Sequence, residues 1–203
     1  MTFIKTPNID RENINAKHER QSIFKECKGL WGILLIAGTF MASTLIGSKF
    51  SQPLMLSGGI SLAFFGVFTT VCSIINSVSS YFTTKFEKIP FGIIMLVPSI
   101  IILTIGVSQN GILVLLLFVT AACRGIGNIK ITAKLNERIS INSKYRATIN
   151  SIKSLLFRLI YAIVIFCMGF ISDYNIYMAL IVGGSGLALL MIGLLYKLRR
   201  RYK

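Results

Sequence analysis

The run from Ile89 to Cys123 holds 35 residues without a single charge. Wound into one helix it would be about 53 Å long, whereas the hydrocarbon core of a bilayer is ~30 Å thick. Ser108-Gln109-Asn110-Gly111 lies inside it, and these residue types favour a tight turn. The run therefore reads as two spans, about 91–107 and 111–130. From Leu30 to Phe82 a further 53 residues carry one charge, Lys49. The expected break is Lys49–Ser57, where Gln52 and Pro53 precede Gly58-Gly59, giving spans at about 30–48 and 59–82. After the polar segment KLNERISINSKYR a fifth span covers about 148–171, and Ser172-Asp173-Tyr174-Asn175 turns the chain into a sixth at about 175–196. The pattern predicts an all-α integral membrane protein, a six-transmembrane-helix bundle over residues 30–196. A polar segment, residues 1–29, precedes it and a basic tail, 197–203, follows. Residues 1–29 contain no apolar h-region, so no cleavable signal peptide is expected.

Charge decides orientation and excludes several function classes. Lys and Arg number 22 against 7 Asp and Glu, a formal net charge of +15. A balance this basic can signify nucleic acid, but its placement here does not. Counted by segment, 19 of the 22 basic residues fall in residues 1–29, 83–90, 124–146 and 197–203, and the alternate loops hold only Lys49. Positive residues are retained in the cytoplasm. Both termini are thus expected there, in a multi-pass protein of the inner or plasma membrane whose partners include the lipid bilayer and no nucleic acid. The tail KLRRRYK then anchors the topology and can touch anionic headgroups. Cys27, Cys72, Cys123 and Cys167 are 45, 51 and 44 residues apart with no Cys-x-x-Cys, and the one histidine, His18, has no second ligand near it. No metal, cofactor or disulfide framework is expected. Nor is an enzyme, because all seven acids lie outside the spans and intramembrane hydrolases need converging Ser/His, paired Asp or His/Glu groups.

Polar side chains inside a membrane are costly and tend to face a bundle interior or an aqueous cavity, so their spacing marks the faces that matter. Thr39 and Ser43 are four apart on the first span. Thr69, Ser73, Asn76 and Ser80 follow a 4-3-4 spacing on the second, which keeps them on one stripe. Thr120, Arg124 and Asn128 repeat at four on the fourth, and Ser151, Ser154, Arg158 and Tyr161 run 3-4-3 on the fifth. The third span offers only Ser99 and Thr104, and the sixth Ser185 among glycines, so these two read as lipid-facing. Hydroxyl stripes alone are common helix–helix glue. Arg158, near mid-membrane with no in-span carboxylate partner, marks a pathway or site, while Arg124 lies nearer the cytoplasmic end and could snorkel outward.

The segment LNERIS…YRATINSIKSLLFRLIYAIVIFCMGFISD resembles the region around the last two spans of major facilitator superfamily transporters. Its strongest pieces are Asn136, then Arg146-Ala147-Thr148 with Ser151 three beyond, then Gly169 and Asp173. Gln52-Pro53-Leu54 followed by Gly59-Ile60 resembles the outer loop leading into the family's eighth span. The family's Asp-Arg-x-Gly-Arg loop motif is reduced to Thr84-Lys85-Phe86-Glu87-Lys88, which keeps basic character and loses the acid and the glycine. The resemblance implies the C-terminal six-span half of a twelve-span fold, with residues 1–29 similar to the central linker. It also implies that spans one and four line a substrate cavity, two and five flank it, and three and six face lipid.

The leading expectation is a secondary transporter, or half of one, moving a small-molecule solute by alternating access near the midplane. Arg158, Ser154, Tyr161, Asn76, Ser73, Thr120, Arg124, Asn128, Thr39 and Ser43 are the substrate-cavity candidates. Asn136, Arg146, Thr148 and Ser151 are the candidates for a cytoplasmic gate or structural motif. A second six-span half is the expected partner, either another copy or a separately encoded N-terminal half. The competing expectation is a non-transporting membrane protein, an assembly partner or the stranded remnant of a transporter. Two arginines without an in-span acid point toward an anionic or polar neutral solute.

Overall fold

The computed structural model describes the backbone of residues 9–138 and 146–201 and the side chains of 30–138 and 146–200. The side chains of His18 and Cys27, the loop around Ser143 and the end of the basic tail lie outside the described residues. Among those described there are six long helices and no strand. They are α1 (Ile9–Ser57), α2 (Ala63–Tyr81), α3 (Phe91–Ser108), α4 (Leu117–Arg138), α5 (Arg146–Ser172) and α6 (Ile176–Arg201). Single 3₁₀ segments, Thr83–Phe86 and Gly111–Leu116, lead into α3 and α4. All six stretches are long and apolar enough to cross a membrane. In hydrocarbon every backbone N–H and C=O must be satisfied within the segment, which is why such runs close into helices.

Several boundaries differ from the sequence reading: α4 and α6 run on to Arg138 and Arg201, past the expected 130 and 196, α2 begins at Ala63, and α1 differs most. Helix α1 begins at Ile9, within the polar N-terminal segment, and it runs unbroken past Lys49 and through Pro53 to Ser57. Proline removes a hydrogen bond to the carbonyl four residues earlier, yet Phe50, Leu54 and Met55 on either side of it are buried. That packing outweighs the local cost, and the turn moves to Gly58–Ile60. There the Gly59 N–H donates to the Leu56 carbonyl at 3.0 Å and the Ile60 N–H to the Met55 carbonyl at 2.8 Å. With Gly59 at φ +75°, these bonds form a Schellman C-cap, which requires the left-handed residue that glycine supplies most cheaply.

The other turns use side chains. Gln109 ends α3 at φ 51°, and the Asn110 side chain accepts the Ile112 N–H at 3.0 Å. Asn175 caps α6 by accepting the N–H groups of Tyr177 and Met178 at 2.8 and 3.3 Å, as an N-cap residue should.

Helix α1 is the axis of the bundle and packs against α3, α4, α5 and α6. In its membrane window 72% of residues are buried inside the protein, against 6% for α2 and for α5. Helices α3 and α6, expected to face lipid, pack extensively on each other. Gly106 and Gly184 permit that approach, since a Cβ on Gly184 would lie 2.8 Å from the Leu103 backbone nitrogen and one on Gly106 2.9 Å from that of Ile181. Ser99 on α3 is accordingly fully buried, so this helix, expected to face lipid, turns one hydroxyl into the bundle. Helix α2 rests almost wholly on α4. The core divides into two apolar layers. One, at the end carrying the N-terminal half of α1, includes Leu34, Phe40, Met95, Ile131 and Met191. The other, at the end with the Gly58 turn, includes Ile46, Leu54, Ile102, Val114 and Leu180.

Candidate functional site

Between α1, α2 and α4 lies a cavity of about 140 Å³. Helix α1 contributes Thr44, Ser48 and Ser51; α2 contributes Phe68, Thr69, Cys72, Ser73 and Asn76; α4 contributes Leu117, Thr120, Ala121 and Arg124. Each set follows 3- and 4-residue steps, so each helix turns one stripe toward the same space. No acid lines it.

The levels of the cavity follow from close contacts around it. A Cβ on Gly47 would lie 2.9 Å from a Leu117 methyl, so Ser48 and Leu117 share the end nearer the Gly58 turn. Gly125 is held against the Asn76 carbonyl, and a Cβ there would lie 3.0 Å from the Ser80 nitrogen, so Arg124 and Asn76 share the opposite end. Seven residues separate Leu117 from Arg124, about 10 Å of helix. The Phe68 and Phe118 rings, 4.9 Å apart, brace the apolar end.

Hydrogen bonding gives the walls a chemical polarity. Thr44 donates to the Met41 carbonyl at 3.0 Å, Ser51 to Ser48 at 2.6 Å, Thr69 to Gly66 at 3.0 Å, Ser73 to Thr69 at 2.9 Å and Thr120 to Leu117 at 2.7 Å. Each hydroxyl thus spends its proton on its own helix and keeps lone pairs for the cavity. Arg124 makes no hydrogen bond or ion pair among the described residues, and its five N–H donors remain available.

The sequence candidates divide into four groups. Ser73, Asn76, Thr120 and Arg124 meet in this cavity. Thr39 and Ser43 lie fully buried inside the bundle; the Ser43 hydroxyl donates to the Phe40 carbonyl at 2.8 Å, and Thr39 Oγ1 has no hydrogen-bond partner among the described residues. Ser151, Ser154 and Arg158 are exposed along a shallow groove of about 400 Å³ on α5, beside Asn150 and Leu155. Tyr161, one turn on, is half-buried with its ring 6.0 Å from that of Phe157. Arg158 and Arg124 therefore belong to separate features. Asn128 is exposed one turn beyond the cavity, and Asn136, Arg146 and Thr148 are exposed at the facing ends of α4 and α5. Thr44, Ser48 and Ser51 were missed because ending the first span at residue 48 cut their 4-3 stripe short.

A second polar arrangement holds the loop between α2 and α3. Lys130 Nζ donates to the carbonyls of Phe86, Glu87 and Ile89 at 2.8, 3.3 and 2.9 Å. One turn on, Lys134 Nζ stands 3.9 Å over the Phe91 ring. Lys153 Nζ donates to Thr132 Oγ1 at 3.4 Å, joining α5 to α4 at the same end of the bundle. Among the described residues no three His, Cys, Asp or Glu side chains converge as a metal site would require. Compared with known proteins, the chain matches no family model, no curated protein and no solved structure.

Proposed function

We propose that this chain is one six-helix half of a secondary transporter of the major facilitator type, moving a small solute across the inner or plasma membrane by alternating access. The observation that carries the reading is the polar cavity of α1, α2 and α4, with Arg124 and its open N–H donors at one end and an apolar pair at the other. A helix-packing seam would close its hydroxyls against a neighbouring helix; this one leaves space between them. Orientation follows from the Lys/Arg distribution, with both termini cytoplasmic.

A partner half follows from the exposure of α2 and α5. Ser73 and Ser77 on α2, and Ser151, Ser154 and Arg158 on α5, are exposed on helices that cross the membrane. An arginine left in hydrocarbon costs at least ~2.5 kcal/mol, so these faces suit a second six-helix body. The partner is another copy of the chain or a separately encoded N-terminal half, with substrate bound between the two. The test is reconstitution in liposomes with and without crosslinking, sized by mass photometry. Solute uptake by a twelve-span assembly supports the reading. Uptake by a six-span monomer defeats the two-half arrangement. An inserted, stable chain that moves nothing in either form defeats the transport reading and favours a non-transporting membrane protein.

A further inference from the structure

We propose that the α1/α2/α4 cavity binds a small hydroxycarboxylate, with the carboxylate on Arg124 and the hydroxyl groups donating to the oxygen-lined wall. The inference rests on the transport reading only in sharing its cavity, and binding is measurable without transport.

Sign comes first. Arg124 is the one charge in the lining, and no Asp or Glu lies there to neutralise it. It also lacks a hydrogen-bond partner among the described residues. A cationic solute would be repelled by it, and a neutral one would leave it without a counter-charge. A carboxylate matches the planar guanidinium fork and can accept two parallel N–H bonds. With one cation in the lining, a singly charged carboxylate balances the site, whereas a phosphate dianion would need a second. Asn76 shares this end and makes no side-chain hydrogen bond among the described residues, so its amide is free to donate to the same group.

The remaining wall fixes the rest of the ligand. The hydroxyls of Thr44, Thr69, Ser73 and Thr120 already donate to their own helices and meet a ligand as acceptors. A simple fatty acid would leave those oxygens without donors, while a chain bearing hydroxyl groups supplies them. Size agrees, since about 140 Å³ holds roughly ten waters at the ~10–15 Å³ each requires, and a short hydroxy acid fits that space. The apolar end at Phe68 and Leu117 bounds its length.

The experiment is calorimetry on the purified, detergent-solubilised chain with D-glycerate, compared with glycerol, which has the same skeleton without the carboxylate, and with choline and inorganic phosphate. Glycerate should bind at least tenfold more tightly than any of the three. Arg124→Gln should weaken it at least tenfold and Arg124→Lys less, because the lysine keeps the charge and loses the fork. Asn76→Asp places a carboxylate beside Arg124 and should abolish glycerate binding while the arginine remains, so the test does not depend on one variant folding. Equal or tighter binding of glycerol, choline or phosphate, no saturable glycerate binding, or glycerate binding unaffected by Arg124→Gln and Asn76→Asp would each overturn the proposal. Glycerate that binds the wild-type chain but never crosses a liposome membrane leaves this assignment standing and removes the transport reading. Liposomes that move glycerol or choline but neither bind nor move glycerate do the reverse.

Discussion

At the scale of single residues, the cavity depends on Gly125 as much as on the groups that line it. A side chain there collides with the Asn76 carbonyl and the backbone at Ser80, on a helix that has little other support than α4. Gly125→Leu should displace α2 and lower the melting temperature of the purified protein by several degrees, in line with overpacking costs of ~1–3 kcal/mol. Gly169→Ala, where nothing lies within 4 Å of the added carbon, should leave melting unchanged. Ser99→Ala should also be tolerated, since it removes a buried hydroxyl without a hydrogen-bond partner among the described residues and with it the cost of burying one. Thermal melting followed by tryptophan fluorescence checks all three. The α2 stripe was legible because Ser73 and Asn76 repeat at helical spacing. Arg158 was legible as a polar residue in a span, but not as one facing away from Arg124, because spacing fixes a face within one helix and says nothing of which neighbour that face meets.

At the scale of the element, the ends of the helices separate what a sequence can reveal from what packing decides. Turn residues at Ser108–Gly111 and Ser172–Asn175 coincide with real helix ends, for those residues satisfy backbone groups locally through αL geometry and Asn caps. Pro53 does not end α1, because the buried side chains around it come from α1's long-range contacts, which no local signal encodes. The Lys130 clamp belongs here too. Its three bonds hold the carbonyls of Phe86, Glu87 and Ile89 where the Thr83–Phe86 turn gives way to α3, and hydrogen bonds to a charged group are each worth ~1.5–3 kcal/mol. Lys130→Met should raise amide hydrogen exchange in the segment from Thr84 to Ile93 by about tenfold or more. Exchange in α5 and α6 should stay the same. Unchanged exchange in the loop would mean that the 3₁₀ turn at Thr83–Phe86 holds itself.

At the scale of the whole molecule, the number of spans is legible from hydropathy alone, because a charge-free run longer than one bilayer thickness must turn. Which helices are central is not. Polar content marked spans one, two, four and five as inward and three and six as outward. Burial instead makes α1 the axis, pairs α3 with α6, and leaves α2 and α5 the most exposed. Exposure of α2 and α5 with polar groups on them is what a six-helix body missing its partner would have. The central claim is that the space between α1, α2 and α4 is an aqueous site within the membrane and not a dry packing seam. Cys72 lines it already. With Cys27, Cys123 and Cys167 replaced by alanine, Cys72 should react with a membrane-impermeant thiosulfonate in vesicles and be protected by D-glycerate. A cysteine at Ile74, 56% exposed on the neighbouring face of α2, should remain unlabelled in hydrocarbon once Cys72 is also alanine. Labelling at position 74 with none at Cys72 would contradict the account.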